Sequence, residues 1–169
     1  MLRTLSIVAV LVAATCAATV LPAAGDVKLC GIFTDNMVLQ RDMAVPIWGT
    51  AEPGEAVTVT IGDQSHTATA DADGKWRVTF DVLAIDGPFS VTVAGNNAIT
   101  LSNCVLGDVW VCSGQSNMGM VVRSSMNADE EIAAADFPLI RLFNYGRKPS
   151  PEPLDDLSGA WVECSPETV

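Results

Sequence analysis

Gly107-Asp108-Val109-Trp110-Val111-Cys112-Ser113-Gly114-Gln115-Ser116-Asn117-Met118 is a junction between two kinds of sequence. An apolar, β-type run over residues 105–112 breaks into Ser-Gly-Gln-Ser-Asn, and polar, helix-compatible sequence follows. Apart from Gly107 and Asp108 the run is apolar on both parities. That pattern predicts a strand buried on both faces, as in a parallel sheet. A serine on a strand-to-helix turn has its hydroxyl lifted clear of the sheet edge, and the helix N-terminus behind it turns backbone N–H groups toward a developing oxyanion. Gly114 next to the turn lets a substrate approach the backbone closely. The plain alternative for Ser116 is a helix cap. Ser113 is a second hydroxyl, closer to the strand, and Cys112 reads as a packed thiol inside it.

Downstream, Asn127 is placed to cap a short helix, with Glu130 set for the reciprocal capping-box bond. The helix is predicted to run through Ile132 and Ala135 and to end before Pro138. Residues 139–143 read as the next strand. Strand, helix, strand is the start of an α/β unit with a right-handed crossover. One such unit cannot bury both faces of a sheet, so further strands and helices are expected beyond Val169. The segment from Lys148 to Asp156, with Pro149, Pro151 and Pro153, predicts an extended surface loop.

Upstream, from Lys28 to Asn103, short alternating strands and turns follow one another. Val57, Val59 and Ile61 alternate with threonines; Trp76, Val78 and Phe80 repeat the pattern, as do Phe89, Val91 and Val93. Turns at intervals of about eight to twelve residues predict a small antiparallel β-sandwich. Asp73-Gly74 and Gly95-Asn96 are hairpin signals. Asp71-Ala72-Asp73-Gly74 lacks the glutamate a calcium loop needs, so a hairpin is the better reading. Trp48 and Trp76 are candidates for a sugar-stacking surface, although Trp76 shares a face with Val78 and Phe80 and fits core packing better. His66, the single histidine, sits in a strand-like stretch whose alternation predicts a solvated side chain.

The first 24 residues read as a signal peptide: Arg3 in a short basic start, an apolar stretch from Leu5 to Ala14, then a small-residue tract. The apolar stretch is short for a membrane span, which predicts a secreted or periplasmic protein without stable membrane insertion after cleavage. The formal net charge of −11 argues against a nucleic-acid partner. Cys30, Cys104, Cys112 and Cys164 remain after cleavage, an even number with three possible pairings, of which Cys30 with Cys104 would tie the ends of the β-rich region. Their spacing matches no zinc site.

The junction stretch resembles the nucleophile block of SGNH-type serine esterases, and most closely the sialate O-acetylesterase family, whose Gly-Gln-Ser-Asn-Met segment carries the serine. Two further blocks resemble the same family in the same order: Phe33-Thr34-Asp35-Asn36-Met37-Val38-Leu39-Gln40 with Val45-Pro46-Ile47-Trp48-Gly49, and Trp161-Val162-Glu163-Cys164-Ser165-Pro166-Glu167-Thr168. The resemblance implies a β-sandwich domain over residues 25–103 and, over 104–169, the first part of a flavodoxin-like SGNH α/β domain. It implies Ser116 as nucleophile and as an oxyanion N–H donor, with Gly114, Gln115 and Asn117 shaping the site. Gln115 and Asn117 are expected to hold the turn by side-chain-to-backbone bonds. The substrate it implies is an O-acetylated sugar, a sialic acid or a relative such as acetylated xylan, handled without metal or organic cofactor. The family's catalytic histidine and aspartate come from an Asp-x-x-His block that these 169 residues do not contain, so the chain alone is expected to be inactive. The competing reading is a secreted, non-catalytic glycan-binding β-sandwich or remnant.

Overall fold

The computed structural model describes residues 25–145 and 149–169. The predicted signal peptide and Lys148, where the proline-rich loop was expected to start, lie outside the described residues.

Eight strands build the first two-thirds of the fold: β1 (Lys28–Leu29), β2 (Val38–Gln40), β3 (Val45–Thr50), β4 (Ala56–Ile61), β5 (Gln64–Thr69), β6 (Lys75–Phe80), β7 (Phe89–Ala94) and β8 (Ala98–Gly107). They form a three-stranded sheet in the order β1-β3-β6 and a five-stranded sheet in the order β2-β8-β7-β4-β5. Each strand buries alternate residues: Val57, Val59 and Ile61 from β4, Trp76, Val78 and Phe80 from β6, Val91 and Val93 from β7. Together with Met37, Val45, Ile47, Leu101 and Cys104 these make one core shared by both sheets. The alternation is the direct product of a half-buried strand, whose side-chain period is two.

Two turns behave differently from each other. Gly62-Asp63 closes the β4–β5 hairpin, and Gly62 takes φ 59° there. Asp73-Gly74 is not a hairpin: β5 pairs with β4 and β6 with β3, so this turn carries the chain from one sheet to the other. The turn chemistry is nonetheless as expected. Gly74 sits at φ 74°, and Asp71 Oδ1 accepts the N–H groups of Asp73 and Lys75 at 2.9 and 2.8 Å.

The stretch 105–112 is not one buried strand. β8 is antiparallel to β7, continues through Asn103 and ends at Gly107 beside β2, to which its last part runs parallel. Asn103 adopts φ 56°, and the register with β7 slips between Phe89 and Val91. An extra residue at such a bulge turns neighbouring side chains to one face, so Cys104 and Val105 are both buried. This bulge accounts for part of the apolar run that the sequence shows on both parities. Residues 109–112 leave the sheet, and Trp110 and Val111 are 84% and 90% exposed. Cys112 is exposed as well, not packed in a strand.

The expected strand-helix-strand unit is also absent among the described residues. A 3-10 turn covers Val122–Ser124 and α1 covers Ala128–Ala133. Helix α1 ends two residues short of Ala135, and Asn127 stands at its N-terminus in the left-handed region (φ 57°) with no side-chain capping bond. The capping box therefore does not form, because a left-handed Asn127 holds its side chain away from the extended geometry a capping residue needs. Strand β9 (Phe137–Phe143) pairs antiparallel with β10 (Trp161–Cys164) and not with β8. What is present throughout is a β-rich fold.

The β9–β10 pair is sewn to the sandwich by polar groups. Trp161 Nε1 donates to the Ile32 carbonyl at 2.8 Å, and Asn36 Nδ2 donates to the Trp161 carbonyl at 3.3 Å. Asn103 Nδ2 donates to Asn36 Oδ1 and Glu163 Oε1, both at 2.8 Å. Buried beneath them is Arg141. The four cysteines among the described residues are free thiols, so the Cys30–Cys104 bridge is not formed; Cys30, Cys104 and Cys164 are buried. Cys30 and Cys104 donate instead to the carbonyls of Asp155 and Ser102. Burial raises the Cys30 thiol above its ordinary pKa and pushes Cys104 up to about 11.

Candidate active site around Ser116

Ser116 lies on an exposed turn. The Gln115 carbonyl accepts the N–H groups of Met118 and Gly119 at 3.0 and 3.1 Å, and the Ser116 carbonyl accepts Gly119 N–H at 3.2 Å. The turn is therefore closed by backbone alone. The side chains of Gln115 and Asn117 make no hydrogen bond among the described residues, contrary to the expected bracing. Gly114 takes φ 154°, and a Cβ there would come within 2.7 Å of Met118 Cγ. A side chain at this position is thus strained by the backbone and crowded by Met118. Ser113 is exposed on the same segment. The backbone N–H of Ser116 is unpaired among the described residues, which leaves a donor free to meet an oxyanion.

The single histidine is placed on another edge of the fold. His66 belongs to β5, the sheet edge opposite β2, whereas the serine segment leaves β8 beside β2. Its ring is half-buried and meets Phe80 edge-on at 4.6 Å, so it is a packed side chain and not the fully solvated one expected. Among the described residues no group of histidine, cysteine and carboxylate side chains is arranged to hold a metal ion. No helix among them is long and apolar enough to cross a membrane.

Sequence reasoning missed the residues that hold the root of the serine segment. At the end of β2, Gln40 Oε1 accepts Val109 N–H at 2.8 Å, and Gln40 Nε2 reaches Asp108 Oδ1 at 3.5 Å. Arg41 grips Asp108 with two bonds, Nε to Oδ1 at 3.0 Å and Nη2 to Oδ2 at 2.8 Å, and its own N–H donates to the Gly107 carbonyl at 3.0 Å. The Arg41 hydrogen bond holds the Asp108 carboxyl below the ordinary aspartate range. No local signal marks these contacts, because the partners are 66 to 69 residues apart.

Beside this root, Gln40, Val109, Phe33, Trp48 and Trp161 line an apolar cavity of about 270 Å³. Trp48 is half-buried, with Phe33 edge-on at 4.7 Å and the guanidinium of Arg77 5.8 Å from its ring centroid. Trp76 is a core residue, as its shared face with Val78 and Phe80 implies, and its indole Nε1 finds no partner among the described residues.

No family model matches the chain. It is 35% identical to the sialate O-acetylesterase of Mus musculus over 151 residues, which are 81% of this chain and 28% of that protein. The Homo sapiens sialate O-acetylesterase is 31% identical over 155 residues, 83% of this chain and 29% of that protein. A solved carbohydrate acetylesterase from Xanthomonas citri superposes with a TM-score of 0.82 at 30% identity, covering 85% of this chain and 34% of that one. The chain thus spans under a third of the length of the curated relatives it matches. On these likenesses, the chain is similar to the N-terminal portion of the sialate O-acetylesterases.

Proposed function

We propose that this chain is the serine-bearing portion of a secreted or periplasmic esterase that removes O-acetyl groups from sialic acids or related sugars. The observation that carries the reading is the exposed Ser116 turn, inside a chain whose relatives are named as acetylesterases of sugars. Ser116 Oγ attacks the acetyl carbonyl carbon, and the bond from that carbon to the sugar oxygen breaks. The hydroxyl proton passes through a base to the departing sugar oxygen. Water then cleaves the acetyl-serine and releases acetate, with the same base taking the water's proton. The Ser116 N–H is one oxyanion donor. The base comes from residues outside these 169, so the chain alone turns over acetyl esters no faster than background.

The test is a chimera in which residues 25–169 replace the matching portion of the mouse relative. It is expected to hydrolyse an O-acetylated sialic acid, and Ser116→Ala to lower kcat roughly ten-thousandfold. A Ser116→Ala chimera as active as its parent removes Ser116 from the chemistry. Turnover by the 169-residue chain that disappears in Ser116→Ala would mean that a base is recruited from within it.

A further inference from the structure

We infer that Gln40 and Arg41 are positioning residues for the segment that carries Ser116. The inference rests on the nucleophile reading for its catalytic half, but its structural half stands on geometry. Among the described residues, every hydrogen bond that joins residues 108–127 to any part of the protein other than α1 ends on Gln40 or Arg41. The remaining hydrogen bonds of the segment are internal to it or run into α1. Beyond Val109 the segment has no strand, and Trp110 and Val111 stand in solvent. Its direction is therefore set where it starts.

The two side chains divide the work. The Gln40 amide binds on both sides, accepting from Val109 N–H and donating to the Arg41 carbonyl at 3.2 Å. It thereby fixes the peptide plane at which the chain leaves the sheet. Arg41 adds a planar two-point grip on Asp108, which resists rotation as a single bond does not. The parallel β2–β8 pairing supports both, with Gln40 in register with Gly107. A small angular error at Asp108 grows over the eight residues to Ser116. An ångström of misplacement at a nucleophile is enough to slow the chemistry about a hundredfold.

Three readouts test this. On the full chain, amide exchange at Val109 is expected to rise about tenfold in Gln40→Ala, while amides of β4 and β7 keep their rates. A nitroxide on Cys112, the exposed thiol among the described residues, is expected to become more mobile in Gln40→Ala and Arg41→Ala. It should stiffen again when Arg41→Asp is combined with Asp108→Arg. In the chimera, Arg41→Ala is expected to lower kcat about ten- to a hundredfold with KM little changed, and the charge swap to recover part of it.

Unchanged exchange and unchanged label mobility overturn the inference, whatever the enzyme does. A loosened segment with undiminished kcat overturns the positioning role. A chimera with no turnover even before substitution counts against the serine reading instead, and the exchange and mobility readouts then decide this inference alone. Acid gives an independent check. Because the folded Asp108 carboxyl lies below its unfolded value, the grip is present above that unfolded value and is lost as pH falls through the folded one. Label mobility is expected to rise over that acidic window in the wild type and to be flat there in Asp108→Asn.

Discussion

Arg141 brings five donors into a place almost without water, its side chain 1% exposed. Nε donates to the Pro138 carbonyl at 2.7 Å, and Nη1 to the carbonyls of Asn36 and Asn103 at 3.3 and 3.1 Å. Nη2 reaches Asn103 Oδ1 at 3.4 Å and Glu163 Oε1 at 3.3 Å. These partners come from the loop before β2, the bulge in β8, and both strands of the β9–β10 pair. The left-handed Asn103 is thus held by its carbonyl as well as by its side chain. Arg141→Met keeps the bulk but leaves several carbonyls without a donor, and it is expected to destabilise the chain by about 2–3 kcal/mol. Glu163→Gln is expected to cost under about 1 kcal/mol, because Glu163 is 42% exposed and a neutral oxygen still accepts from Asn103. Urea unfolding midpoints at constant m-value measure both. A loss in Arg141→Met no larger than in Glu163→Gln would show that the sandwich and the β9–β10 pair hold together without this cluster.

At the scale of elements, α1 shows how a sound local signal gives way to backbone geometry. Asn three residues before Glu favours a capping box, yet Asn127 is left-handed and its carbonyl, not its side chain, serves the helix by accepting Glu131 N–H at 3.0 Å. Glycine suits such a position and alanine does not. Asn127→Ala is therefore expected to open α1 by about 1–2 kcal/mol, read as faster exchange at the amides of Glu131 and Ala134. Asn127→Gly is expected to leave those amides within about a few tenths of a kcal/mol. Faster exchange in the glycine variant than in the alanine variant would overturn the role given to a left-handed Asn127.

The sandwich strands were legible because each has one face in the core, so Val57-Val59-Ile61 and Trp76-Val78-Phe80 carry their burial in their spacing. Asp73-Gly74 was not legible as a crossing between sheets, since a turn's chemistry is the same whichever strand its exit pairs with. Residues 109–112 misled for a different reason. Their apolarity marks a surface meant to be covered, and apolarity alone does not say by what. Ser116 was singled out through its block, whereas the contacts of Gln40 and Arg41 cross the fold and leave no trace in the local sequence.

At the scale of the whole molecule, apolar surface is unevenly shared. The sandwich exposes few large apolar side chains, Met43 and Val82 among them, while Trp110, Val111, Met118, Met120, Val121, Met126, Phe137, Leu139 and Ile140 are all exposed within one stretch of sequence. Soluble surfaces tolerate single exposed apolar residues but seldom so many close together in the chain. Against this stands the net charge of −11, which repels like copies. The balance predicts a salt-dependent behaviour. At low ionic strength the isolated chain is expected to stay largely monomeric and to bind a hydrophobic dye through the 109–140 region. Added salt screens the repulsion without weakening apolar contacts, so association is expected to increase with salt, the reverse of an assembly held by ion pairs. Trp110→Ser with Leu139→Ser is expected to lower both dye binding and salt-induced association, leaving the unfolding midpoint unchanged because neither residue belongs to the core. Sedimentation velocity across a salt series, with dye fluorescence on the same samples, measures the pair of effects. Association that falls with salt, or that the double variant leaves intact, would place the contact surface elsewhere on the molecule.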